Sequence, residues 1–141
     1  LMKIFFSSLF ASLMLFFAPI KGIILVVAAV TIIDTLFGMW KANKLGEEIT
    51  SKLFRHGFVP KLLSYIALTM LVYSSDVFII NELTKSVVSI DFISTKLTSL
   101  VLISIEVKSM DESFIKVKGY SFIEKFKQIL NKFKDIKKEL K

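Results

Sequence analysis

The 141 residues contain no cysteine, which removes disulfides, thiolate metal sites and cysteine nucleophiles together. One histidine, His56, leaves no pair of imidazoles to share a metal. There is no phosphate-cradling glycine loop and no serine in the company of a histidine and a carboxylate. The chain therefore reads as a non-enzyme that needs no cofactor or metal. Two prolines and five glycines supply little loop material, so most residues must lie in long regular elements.

What fills those elements is apolar: 54% of residues are hydrophobic, 14 of them are phenylalanine, and the mean hydropathy is +0.67. That is too apolar for an ordinary soluble domain of this length. The net charge of +7 admits nucleic acid or anionic lipid as a counter-surface. Because the basic residues flank apolar runs, lipid and not nucleic acid is the expected partner. The expected fold class is an all-α membrane protein with four transmembrane helices, or three, and a C-terminal basic amphipathic helix.

Four apolar runs are expected at about residues 3–18, 22–45, 61–80 and 91–109, making residues 1–110 a transmembrane domain and residues 111–141 a cytoplasmic tail. The first begins at Lys3 and stops at Pro19. It imitates a signal peptide, but Phe16 stands where cleavage needs a small residue, so it is kept as a membrane helix, about 23 Å long. The second is long enough to span, since Ile23 to Trp40 rises about 27 Å as a helix, and Gly46 should end it. The third is interrupted by Ser74, Ser75 and Asp76. The fourth carries Lys96 and Glu106; it spans either alone or only when packed against partners.

Charge bias sets the direction. Residues 41–61 hold five basic and two acidic residues, and residues 111–141 hold nine basic and five acidic. Two crossings separate the blocks, so both fall on one side, which the positive-inside rule makes cytoplasmic, with both chain termini there too. Trp40, Lys41, Lys44, Lys52 and Arg55 then sit at the membrane surface. In the tail, Ser121 and Glu124 form a capping-box pattern. Phe122, Phe126, Ile129, Leu130, Phe133 and Ile136 recur at helical spacing opposite lysines, as in a helix lying on an anionic membrane or against another copy. Phe122, Phe126 and Phe133 are its expected surface anchors.

Polar groups inside apolar runs are the candidates for function. A charge in a span costs at least about 2.5 to 3.5 kcal/mol, so Asp34 needs a partner, a proton or a wet cavity. By depth, Asp76 is level with Lys96, which predicts an intramembrane ion pair; Asp34 lies nearer the cytoplasm, with Lys61 and Lys108 within reach. Ala28, Thr31, Asp34, Thr35, Gly38 and Ala42 form a small-residue stripe, read as an association face or pore lining. Its mate is either the first helix, whose Ser8, Ala11, Ser12 and Ala18 form a similar stripe, or a neighbouring subunit.

The segment IIDTLFGMWKANKLGEEITSKLFRHGF, with an aspartate four residues before a glycine at a helix end and a basic, serine-containing loop beyond, resembles the bacteriophage holins of the toxin-secretion and phage-lysis type. SIEVKSMDESF and GYSFIEKF resemble the family's helix-end glutamate, glycine and basic amphipathic tail, although Val107 stands where the family usually has asparagine. The resemblance implies a homo-oligomerising protein of the bacterial host cytoplasmic membrane that permeabilises it to release an endolysin or toxin. The alternative function is a non-pore membrane adaptor or holin antagonist that recruits a partner through its basic tail.

Overall fold

In a computed structural model, residues 2–51 and 54–139 are described, with side chains to residue 136. All regular structure among them is helical. Helix α1 (Met2–Phe17) passes through a 3-10 turn (Ala18–Ile20) into α2 (Lys21–Leu45), the two forming one 44-residue rod. Helix α3 is the rod Phe54–Thr84, regular over Val59–Ser75 with a wider π-type turn at each end. Helices α4 (Ile93–Lys118) and α5 (Phe122–Glu139) complete the chain.

Local chemistry explains where these helices stop. Gly46 adopts φ +72°, and with Glu47 it returns backbone N–H groups to Ala42 and Asn43, a left-handed closure that a side chain would strain. Gly119 at φ +76° closes α4 in the same way on Ile115. Pro19 does not end α1. It occupies the first turn of the 3-10 segment, where the missing N–H has no helical partner to lose, so the chain stays helical through it.

Helices α2, α3 and α4 make a three-helix bundle, α2 and α4 running one way and α3 the other, with α2 packed most extensively on α4. The apolar pattern is turned outward. Among the described residues, five buried apolar side chains are set against ten buried polar or charged ones, among them Thr31, Asp34, Thr69, Asp76, Thr95, Ser99 and Glu106. Leu25, Ile32 and Leu36 of α2, Leu63 and Leu71 of α3, and Leu97, Leu100 and Val101 of α4 are exposed. A soluble bundle would reverse this distribution.

Two helices of the described chain, Met2–Leu45 and Phe54–Thr84, are long and apolar enough to cross a membrane. Helix α4 does not join them, because Lys96, Glu106, Lys108, Asp111 and Glu112 interrupt its apolar run.

Two expectations are corrected. Helix α1 does not fold back along α2: its side chains from Met2 to Leu15 are exposed, and only its end is held, by Phe16 and Phe17 against Tyr73 and by the Tyr73 hydroxyl donating to Phe16 O at 2.9 Å. The boundary expected at residues 110/111 falls inside α4, which runs nine residues beyond 109 to Lys118.

Candidate functional site: a charged cluster in the bundle interior

Each bundle helix turns one stripe inward at helical spacing: Val27, Thr31 and Asp34 on α2; Thr69, Tyr73 and Asp76 on α3; Thr95, Ser99, Leu102, Glu106 and Met110 on α4. Thr31, Thr69 and Ser99 satisfy their hydroxyls on the carbonyl four residues back, so they can be buried in an apolar setting without a partner helix. The ionised groups cannot, and they come together across helices.

Lys61, one turn into the regular part of α3, places Nζ 2.8 Å from Asp34 Oδ2 and 2.6 Å from Glu106 Oε2. Tyr65, one turn further on, donates its hydroxyl to Glu106 Oε1 at 2.9 Å. The contact with Glu106 Oε2 is an ion pair out of line for a hydrogen bond, while that with Asp34 is both. Glu106 is sealed at 1% exposure and Asp34 nearly so at 9%, and the Lys61 side chain keeps 29%. Two carboxylates and one ammonium leave this cluster one negative charge in formal terms. Beside it lies a cavity of about 620 Å³ bounded by α2, α3, α4 and the connection after Gly46, with Asp34 and Lys61 on its wall.

Of the two cations considered for Asp34, the structure selects Lys61; Lys108 is exposed. Glu106 and Tyr65 were not expected in the site. Their signal was periodicity: Ser99, Leu102, Glu106 and Met110 share one face of α4, and Lys61, Tyr65 and Thr69 one face of α3.

The expected ion pair of Asp76 with Lys96 is not formed. Asp76 is fully buried, and its Oδ2 accepts from Thr95 N–H at 2.7 Å and Thr95 Oγ1 at 2.6 Å, while Lys96 is exposed. Thr95 is the third residue of α4, so Asp76 caps that helix from the neighbouring one and satisfies an N–H that has no partner within its own helix. Adjacent residues on a helix point about 100° apart, so Thr95 and Lys96 cannot both face α3. Phe92, at φ +55° just before α4, is held by its N–H on Asn81 Oδ1 and its ring on Tyr73.

The α2 stripe does face a partner, but neither of those expected. Thr31 and Asp34 are buried and Ala28, Thr35, Gly38 and Ala42 half-buried within the bundle, against α4 and α3 of the same chain. A methyl added at Gly38 meets nothing within 4 Å, because that glycine borders the cavity.

Among the expected surface anchors, Trp40 is half-buried and stacks on Phe114 of α4. Lys41 and Arg55 line the cavity, Lys44 is exposed, and Lys52 lies outside the described residues. Phe122 packs edge-on to Phe114, whereas Phe126 and Phe133 are 61% and 66% exposed. The expected cap of α5 is present: Ser121 Oγ accepts from Glu124 N–H at 3.0 Å. Asp111 of α4 adds to it, accepting from the Ser121 hydroxyl and from the N–H groups of Phe122 and Ile123.

No protein-family model, curated protein or solved structure matches the chain.

Proposed function

We propose that this is a holin-type protein of a bacterial cytoplasmic membrane: it accumulates as a small bundle, self-associates, and then permeabilises the membrane to release an endolysin or toxin. The observation that carries the reading is the Asp34–Lys61–Glu106 cluster, a polar interior inside a shell of exposed leucine, isoleucine, valine and phenylalanine. An apolar shell suits lipid, and buried charges satisfied within one subunit can be satisfied again by water if bundles open against one another. The resemblance of the Asp34–Gly38 segment and the basic tail to holins supports the same reading.

In this proposal α2 and α3 cross the bilayer, α4 crosses beside them with its charges shielded by the bundle, and the ends carrying Trp40, Lys41 and α5 face the cytoplasm. The 44-residue rod of α1 and α2 is about 66 Å long, over twice the hydrocarbon thickness of about 30 Å. Placing the apolar side chains of α1 in lipid therefore requires a pivot at the 3-10 turn containing Pro19, which gives four crossings with both termini inside.

A second reading, a non-pore adaptor or holin antagonist, is favoured by one observation: α5 extends from the bundle with its apolar face exposed and lysines opposite, a shape suited to recruiting a partner. Inducible expression in a bacterium, with and without a cytoplasmic cell-wall hydrolase, separates the two. Abrupt lysis that needs both proteins supports the holin; unchanged growth with intact membrane potential supports the adaptor.

A further inference from the structure

We propose that the Asp34–Lys61–Glu106 cluster is a binding site for one proton, filled from the cytoplasmic end of the bundle through the cavity beside Asp34. The inference rests on the membrane-embedded reading of the bundle given above, though not on the release of a hydrolase.

Charge decides the stoichiometry. Lys61 is the one cation in contact with Asp34 and Glu106 among the described residues, so one carboxylate charge is left over at a depth where an uncompensated ion is costly. The remaining charged groups around the cavity do not supply the difference: Lys41 and Arg55 are offset by Glu47 and Glu48, and the other ionisable neighbour, Tyr65, is neutral and already donates to Glu106.

Access decides the route. Glu106 is 1% exposed and does not border the cavity, whereas Asp34 and Lys61 do, together with the hydroxyls of Thr35, Ser109 and Ser113. The volume of about 620 Å³ admits several waters, each needing about 30 Å³, and those hydroxyls give them partners. Toward the other end the interior is closed by Thr31 and Thr69, both fully buried, and by Leu102. The proton passes from a hydronium ion in the cavity to the Asp34 carboxylate, leaving water and a neutral carboxyl. Lys61 keeps its charge and pairs with Glu106 alone. Loading and unloading this proton switches the cluster between a neutral and a negatively charged interior, under control of the cytoplasmic side.

The test is infrared difference spectroscopy of the full chain in liposomes across a pH step, reading the C=O band of protonated carboxyl groups. One titrating carboxyl is expected in the wild type, none in Asp34→Asn or Glu106→Gln, where one acid matches one lysine, and two in Lys61→Met. Sodium at constant pH should leave the band unchanged. A wild type without the band, a band that survives both single acid substitutions, or displacement by sodium overturns the proposal. Sidedness is read from Ser109→Cys in this cysteine-free chain: a membrane-impermeant thiol reagent should label it only from the face that carries α5, and labelling from the opposite face or from neither contradicts the route. Extraction of the wild type by alkaline carbonate would instead refute the membrane-embedded reading on which the proposal stands.

Discussion

Lys61 reaches across from α3 to lie 2.6 Å from a Glu106 oxygen that the bundle otherwise seals from solvent, and the same ammonium holds Asp34 at 2.8 Å. One cation thus ties all three bundle helices together, since its partners stand on α4 and α2. The bundle has few buried apolar side chains, so much of its specificity in lipid falls to this contact and to packing.

Removing the cation should cost more than removing all the charge. Lys61→Met leaves two buried carboxylates facing each other, and breaking a buried pair of this kind costs about 3 to 5 kcal/mol. The triple substitution Asp34→Asn, Lys61→Met, Glu106→Gln should recover most of that loss. Thermal unfolding of the detergent-solubilised proteins, followed by helical circular dichroism, checks both; a triple variant no more stable than Lys61→Met would show that the charges are not coupled.

Asp76 and Lys96 should behave as unrelated residues. Asp76→Ala removes the acceptor for the third N–H of α4 and for a buried hydroxyl, so it should destabilise by about 1 to 3 kcal/mol. Asp76→Asn keeps an acceptor oxygen and should cost less, and Lys96→Ala should change stability by no more than about 0.5 kcal/mol. The same melting experiment decides, and a Lys96→Ala loss equal to that of Asp76→Ala would restore the ion pair.

Asp111 and Ser121 should act together at the joint between α4 and α5. Asp111 accepts from three groups at the start of α5, and Lys125 lies 3.7 Å from the centroid of the Tyr120 ring across the same bend. Asp111→Ala should loosen α5 by about 1 to 2 kcal/mol and leave the bundle folded. Limited proteolysis checks it: cleavage near Gly119 should accelerate several-fold while the bundle fragment stays intact.

The exposed face of α5 should bind anionic membranes. Replacing both Phe126 and Phe133 with glutamate places two charges where apolar rings are exposed and should abolish binding of the tail to vesicles containing phosphatidylglycerol. Sedimentation of the isolated segment with such vesicles, repeated at rising salt, should show binding in the wild type that weakens as salt screens the lysines.

The architecture was legible where one physical term dominates. Apolar length marked the rods, glycine marked their left-handed ends at Gly46 and Gly119, and Ser121 with Glu124 marked the cap of α5. Depth counting brought Asp34 within reach of Lys61 but could not choose the rotation of α4, so Lys96 was paired where its neighbour Thr95 makes the contact, and Glu106 was passed over. Pro19 misled for a related reason: a proline in a first turn and a proline that breaks a helix look alike until the backbone around it is known. Tyr65 gave no composition signal at all, since a tyrosine in an apolar helix is ordinary until a carboxylate lies opposite its hydroxyl.

The most direct measurement of the central claim, that bundles with polar interiors assemble to open a membrane, is release of a trapped folded protein from liposomes reconstituted with the purified chain at increasing protein-to-lipid ratio. The account predicts little release at low ratio, then a steep onset over a narrow range, as self-association requires, with efflux of markers the size of a cell-wall hydrolase. Retention of the trapped protein at every ratio, with the chain inserted and helical, would contradict it.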